Sequence, residues 1–164
     1  MSCLRFAAID VRRPVRRCIF CEASSENGFN IVFEDQDYVA FKDRSPAAEH
    51  HLLVIPRTHV ATVKTIAKAD IPMLTTMKGI GTRLFDDLGV PPENRKMGFH
   101  IPPFNSINHL HLHLLSLPTR GIRKFEFPAS KGKEGKSKGF SWFVEVDQAI
   151  EILQQEKSIG VFPC

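Results

Sequence analysis

Three histidines alternate with leucines over residues 109–115, which read His-Leu-His-Leu-His-Leu-Leu. A period of two is typical of a β-strand, so residues 105–115 are predicted to form a strand with one imidazole face and one apolar face. Same-face neighbours on a strand lie about 6.6 Å apart, so the three rings could face one ligand. Two chemistries fit such a row. Neutral imidazoles can bind a metal ion, or one of them can attack an electrophile and form a covalent intermediate.

A Cys-x-x-Cys motif, Cys18 and Cys21, is the second group that could do chemistry. Such a pair can be a redox centre, half of a zinc site, or two incidental cysteines. No βαβ pattern surrounds it, which weakens the redox interpretation. The chain has four cysteines, and only these two are close together, so no disulfide framework is expected and a reduced, intracellular protein is favoured.

The elements that must position these residues can be predicted from apolar patterns and turn residues. Residues 31–34 and 38–42 indicate a β-hairpin, residues 51–56 a buried central strand closed by proline, and residues 96–100 a fourth strand. An apolar stripe over residues 70–88 predicts a long helix that ends at a glycine, and residues 146–157 predict a C-terminal helix. The predicted class is α+β, with about five strands in a mainly antiparallel sheet.

Composition bounds the organisation of the chain. Its 164 residues, 43% of them hydrophobic, suit a single domain over residues 18–164 behind a flexible basic arm at residues 1–17. Residues 118–140 are rich in lysine, glycine and serine, which favours a mobile basic loop. No apolar run has the length of a membrane helix, so no membrane partner is expected. A net charge of +4 allows an anionic substrate but does not indicate nucleic-acid binding.

The triad, with the Leu-Val-Ile-Pro strand over residues 53–56 and His59, resembles the histidine triad (HIT) superfamily. The similarity covers about residues 18–115, and residues 97–106 are most like the third type of its nucleotide-binding branch. Gly98-Phe99-His100 also resembles aprataxin, a hydrolase of adenylated DNA ends. The resemblance implies a HIT-like fold. It also implies a hydrolase that cleaves adenosine 5′-phosphoramidates or related nucleotidyl conjugates to AMP, with no cofactor required for the chemistry.

The same resemblance assigns roles to individual residues. His111 would attack phosphorus and carry the nucleotidyl group, His113 and Ser106 would hold the phosphate or the leaving atom, and His109 would support the middle ring. The implied catalytic and nucleotide-binding positions are Phe41, Asp43, Arg44, Ser106, His109, His111 and His113. Arg44 stands where the family pattern has isoleucine, which leaves the purine preference open. His100 stands near the place of a phosphate-binding asparagine.

Some HIT members bind a structural zinc ion through a Cys-x-x-Cys motif, a histidine before the Leu-Val-Ile-Pro strand and the first triad histidine. Residues of these types are present here as Cys18, Cys21, His51 and His109. A closed site of two cysteines and two histidines would tie the N-terminal segment to the triad. The sequence leaves open whether zinc is bound.

Several alternatives remain at this stage. The chain could act on adenylated nucleic-acid ends, bind nucleotides without catalysis as a scaffold, or use its three histidines as a catalytic zinc site. The expected partners are purine nucleotide conjugates and a second copy of the chain. In that homodimer, Met73, Met77 and Phe85 would give the long helix a second apolar face, and Trp142 would lie near the interface. The expected location is the cytoplasm, with the nucleus as the alternative.

Overall fold

The computed structural model describes residues 18–133 and 135–164. The predicted N-terminal arm therefore lies outside the described residues. One antiparallel sheet of six strands carries the fold, in the order β1-β2-β3-β5-β4-β6. The strands are β1 (Ile31–Glu34), β2 (Tyr38–Lys42), β3 (His51–Pro56), β4 (Arg95–His100), β5 (Leu112–Ser116) and β6 (Phe143–Glu145). Two α-helices accompany them, α1 (Ile71–Asp87) and α2 (Val146–Gln154). The predicted α+β class and mainly antiparallel sheet are confirmed.

The strand β3 lies in the middle of the sheet and is buried along its whole length. Its side chains alternate between the two faces of the sheet. Leu52 and Val54 join the large core on the helical face, whereas Leu53 and Ile55 join a smaller cluster on the opposite face. Continuous apolar character is what a strand covered on both faces requires, which is why the sequence pattern identified it.

Helix α1 packs on the sheet through its apolar stripe, with Leu74, Met77 and Ile80 among its buried residues. A Cβ added at Gly81 would lie 2.6 Å from a Leu114 side-chain atom, so this glycine allows the helix to approach the sheet closely. The predicted second apolar face of the helix is wrong, because Met77 and Phe85 are fully buried in the chain's own core.

The triad strand is shorter than the alternation predicts. Strand β5 begins only at Leu112, because the residues before it no longer pair with β3. The Leu110 amide donates to the carbonyl of Val60, which lies beyond β3, at 2.7 Å. His113 is therefore within the strand, whereas His109 and His111 precede it. Leu112 and Leu114 face the helices, so His113 lies on the opposite face of the sheet.

The segment after the triad strand folds back over that opposite face. It contains a 3-10 helix (Gly121–Phe125) and then returns to the sheet as β6, which pairs with β4. Phe127 and Lys138 are buried. Composition had predicted a solvated loop here, yet three backbone carbonyls accept hydrogen bonds from the Lys138 ammonium, at 2.8 to 3.0 Å. The basic segment therefore contributes buried contacts as well as charge.

Candidate active site and metal site

His111 is held in one tautomer by its own backbone. Its Nδ1 lies 2.6 Å from the carbonyl oxygen of His109, and a carbonyl can only accept, so Nδ1 carries the proton. Nε2 is then left with a free lone pair. The ring is buried against the Phe20 ring, and burial lowers the pKa of His111. A neutral imidazole with an uncommitted Nε2 is the form that can attack phosphorus.

Three further histidines form a chain of hydrogen bonds beside His111. His51 Nε2 lies 2.9 Å from His113 Nδ1, and His113 Nε2 lies 3.1 Å from His100 Nδ1. The partners at the two ends of this row of hydrogen bonds fix which nitrogen of each ring donates. The Ala47 amide donates to His51 Nδ1, and His100 Nε2 lies 2.8 Å from the Glu126 carbonyl, which must accept. Each ring is therefore neutral, with its proton on Nε2.

Phe127 packs against all three of these rings, at centroid distances of 4.9 to 5.5 Å. Removal of water from the imidazoles disfavours their charged forms. Burial lowers the pKa of His51 to about 4, against the opposing effect of Asp43, whose Oδ2 lies 3.6 Å from His51 Nε2. Burial also lowers the pKa values of His100 and His113. The cluster is thus neutral near pH 7.

A cavity of about 490 Å³ opens beside His111. Its inner end is aromatic: the Phe41 ring lies 5.2 Å from Phe20 and 4.8 Å from Phe29, both edge to face. Its mouth is polar and includes exposed Arg44. An aromatic floor with a polar rim suits a nucleoside. We call this space the nucleoside cavity; its lining also includes Ile19, Gly28, Asn30, Lys42, Asp43, Ser45, Leu53, Ser106, Ile107, His111 and His113.

A second cavity of about 530 Å³ lies on the other side of His113. Four residues line both cavities, namely Asp43, Ser45, Ser106 and His113. A group bound at this junction can therefore extend into both spaces. We call the second space the outer cavity; its remaining lining residues are His51, His100, Phe104, Arg123, Phe125, Glu126, Phe127 and Trp142.

The first triad histidine belongs to a different group. Cys18, Cys21, His59 and His109 each offer one ligand atom, and these atoms lie within 4.8 Å of one another. The prediction of His51 as the fourth ligand is wrong, because His51 lies in the histidine chain with His113. His59, at the other end of the central strand, takes that place.

The distances within this group fit a tetrahedral ion. His109 Nδ1 lies 3.4 Å from Cys18 Sγ and 3.5 Å from Cys21 Sγ, and His59 Nδ1 lies 3.3 Å from Cys21 Sγ. Zinc bonds of about 2.3 Å to sulfur and 2.1 Å to nitrogen hold tetrahedral S and N ligands about 3.6 Å apart. His109 Nε2 lies 2.8 Å from the Pro56 carbonyl, so Nε2 carries the proton and the Nδ1 lone pair faces the thiols.

This arrangement excludes a single site built from the three triad histidines. His109 and His113 lie in separate groups of potential ligands, and His111 is in neither of the groups found among residues 18–133 and 135–164. The prediction that the three rings face one ligand is therefore wrong. The reason is the early departure of the chain from β3, which turns His109 toward the cysteines.

The other predicted positions can be located relative to the two cavities. Phe41, Asp43 and Arg44 line the nucleoside cavity, and Ser106 stands at the junction, whereas fully buried His109 lines neither cavity. Sequence reasoning missed the aromatic and charged residues of the outer cavity that come from the basic segment. The alternation of Phe125, Glu126 and Phe127 within a lysine-rich stretch was the available signal.

Comparison with known proteins agrees with this geometry. Residues 17–125 match the family described as "Scavenger mRNA decapping enzyme C-term binding". The sequence is 37% identical over 144 residues to the adenosine 5′-monophosphoramidase HINT3 of Xenopus tropicalis, covering 84% of this chain and 87% of that protein. The chain belongs to the histidine triad superfamily.

The sequence and the fold are also similar to those of two other members of the superfamily. The aprataxin of Gallus gallus is 26% identical, and the match covers 79% of this chain and 39% of that protein. A HIT family hydrolase from Legionella pneumophila superposes with a TM-score of 0.58 at 29% identity, covering 64% of this chain and 96% of that structure.

Among the described residues of this HIT protein, no helix is long and apolar enough to cross a membrane.

Proposed function

We propose that this protein hydrolyses adenosine 5′-phosphoramidates, or related nucleotidyl conjugates, to AMP and an amine. One observation carries the proposal: the backbone carbonyl of His109 fixes the proton of buried His111 on Nδ1 and leaves Nε2 free beside the nucleoside cavity. The HINT3 protein of Xenopus tropicalis carries the name of this activity, which supports the assignment.

In the first step, the Nε2 lone pair attacks the α-phosphorus and the bond from phosphorus to the amine nitrogen breaks. The product is a nucleotidyl-His111 intermediate, whose ring charge is stabilised by the hydrogen bond from Nδ1 to the His109 carbonyl. The departing nitrogen takes a proton. Exposed Ser106 at the junction can donate its hydroxyl proton to that nitrogen and accept another from water, because a hydroxyl can donate and accept at the same time. Water then attacks phosphorus, and the bond from phosphorus to Nε2 breaks with its electron pair returning to the ring. AMP is released, and the proton lost by water replaces the one that the amine took.

The test uses purified protein and the simplest substrate, the amide of AMP. Wild-type protein should release AMP, and His111→Asn should lower kcat/KM by at least about a thousandfold, because the nucleophile is gone. His50→Asn is the matched control, since His50 is half-buried and lines neither cavity. Turnover by His111→Asn at the wild-type rate would reject the nucleophile, and binding of AMP without turnover would favour the scaffold alternative.

The aprataxin-like alternative has a specific motivation, because His100 follows Gly98 and Phe99 as it does in that family. It predicts binding of a 5′-adenylated duplex with steep salt dependence. Failure to bind such a duplex at low salt would remove it. The charges of the outer cavity argue against it: Arg123 is the lining cation, whereas Asp43 and Glu126 are both acidic.

We further propose that Cys18, Cys21, His59 and His109 hold a structural zinc ion. All four donors are protein side chains at tetrahedral spacing, which is the pattern of a closed structural site. The ion would fix the 3-10 helix Ile19–Glu22, and thereby Phe20, beside the triad. The chemistry at His111 requires no metal.

The homodimer stays a prediction. Within the described residues the sheet ends in two edge strands, β1 and β6, and β6 covers the outer side of β4. Light scattering at micromolar concentration should give about twice the chain mass of 18.5 kDa for a dimer, and 18.5 kDa would reject it.

A further inference from the structure

The outer cavity is separate from the nucleoside cavity and meets it at Ser106 and His113. A phosphorus atom at this junction, with the nucleoside on the side of His111, would direct the leaving group into the outer cavity. What lines that cavity therefore selects the leaving group. This inference about the leaving group rests on the proposed function.

Aromatic residues with accessible rings line the outer cavity: Phe104 and Phe125 are exposed and Trp142 is half-buried. Phe104 lies before the triad and Trp142 lies before β6, yet their rings meet at a centroid distance of 5.5 Å with 30° between their planes. Phe104 is 51% exposed and Phe125 is 65% exposed. Large aromatic side chains are usually buried, so two exposed phenylalanines beside a half-buried tryptophan indicate a surface shaped for an apolar, planar group.

The charges of the cavity give the second part of the specificity. The guanidinium of Arg123 is occupied, because it donates to Ser45 Oγ at 2.6 Å and to Glu126 at 2.9 Å. Asp43 adds a second carboxylate, while the lining histidines are neutral. The lining is therefore mildly acidic. It disfavours a leaving group with phosphates or carboxylates and favours a neutral or cationic one.

From these observations we propose that the outer cavity binds the leaving group, and that this group is an amine bearing an aromatic ring. The ring stacks on the pair formed by Phe104 and Trp142, which belong to the same chain as the nucleophile. The preferred substrate class is then AMP joined through nitrogen to an arylalkyl amine.

The experiment compares two phosphoramidates of AMP, one with 2-phenylethylamine and one with n-propylamine. Wild-type protein should favour the aromatic substrate in kcat/KM by about fivefold, the size expected for one favourable ring contact. Trp142→Leu keeps an apolar side chain but removes the ring, and should bring the ratio of the two kcat/KM values close to one. Phe140→Ala is the matched control: Phe140 is 57% exposed and pairs with Phe162, outside both cavities. It should keep the wild-type ratio.

Trp142 is the only tryptophan, so its fluorescence reports directly on the site. A non-hydrolysable AMP conjugate with the phenylethyl group should change the emission more than its propyl counterpart. Equal kcat/KM values for the two substrates, or a Trp142→Leu ratio equal to that of wild type, would overturn the proposal. If the amide of AMP itself is not hydrolysed, the proposed function fails instead, which distinguishes the two outcomes.

Discussion

Acid should destabilise this protein through His51, and the size of the effect follows from its surroundings. The ring is 4% exposed, and burial lowers its pKa to about 4 from an ordinary value of about 6.5. The groups that face it modify this effect. Asp43 and Glu126 raise the pKa, whereas Arg123 and His100 lower it.

The sign follows from proton linkage. Between pH 6.5 and pH 4 the unfolded chain binds a proton at His51 that the folded chain does not bind, so stability rises with pH across this window. The contribution of His51 is complete above about pH 6.5 and is lost as the pH falls toward 4. The cost is about 2 kcal/mol at pH 5 and about 3 kcal/mol at pH 4, from 1.36 kcal/mol per pKa unit.

The assay is urea unfolding at pH 7, 5 and 4, followed by Trp142 fluorescence. His51→Gln cannot take up the proton, so wild-type protein should lose about 2 kcal/mol more than this variant between pH 7 and pH 5. Subtracting the variant removes effects common to both proteins, including loss of any bound zinc. His50→Gln, at a half-buried neighbouring position, should follow wild type. Parallel pH profiles for wild type and His51→Gln would refute the reasoning.

Three further predictions concern the metal group, the packing around two glycines and the buried segment. Metal analysis should find about one zinc ion per chain, and His59→Ala should lose it while His51→Gln retains it; the reverse result would restore His51 as the ligand. Gly98→Ala should lower the free energy of unfolding by about 2 kcal/mol, because a Cβ there meets the backbone and a ring of the neighbouring strand β6. Gly79→Ala on α1, with nothing within 4 Å of its Cβ, should be neutral or stabilising, and equal effects would contradict this account. Lys138→Met should cost about 3 kcal/mol in chemical unfolding, because three backbone carbonyls lose a charged donor, and an unchanged midpoint would show that the ammonium is dispensable.

The sequence by itself determined the features that depend on short stretches of chain. The alternating and continuous apolar runs gave strands 31–34, 38–42 and 51–56 with the bounds that the structure has. The tautomer of His111 is also set locally, because its proton is fixed by the carbonyl only two residues before it. Signals of this kind survive in the sequence because neighbouring residues are already close in the unfolded chain.

Only the tertiary structure decided which histidine joins the two cysteines. His51 is the first residue of the six-residue strand β3, which spans about 20 Å, and His59 follows its other end. The choice depends on which end of β3 the N-terminal segment reaches. Of its described residues, Phe20 packs near the Pro56 end of β3, with Leu53 and Ile55 on the sheet face opposite the helices.

The outer cavity also lay beyond the sequence. Phe104 and Trp142 are separated by 38 positions, and their contact requires the basic segment to return to the sheet as β6. Its lysine-rich composition pointed to solvent, whereas the cost of burying Lys138 is offset by three carbonyl acceptors that only the folded backbone brings together. Long-range contacts of this kind leave no periodic trace in the sequence, and they decide which leaving group the triad can meet.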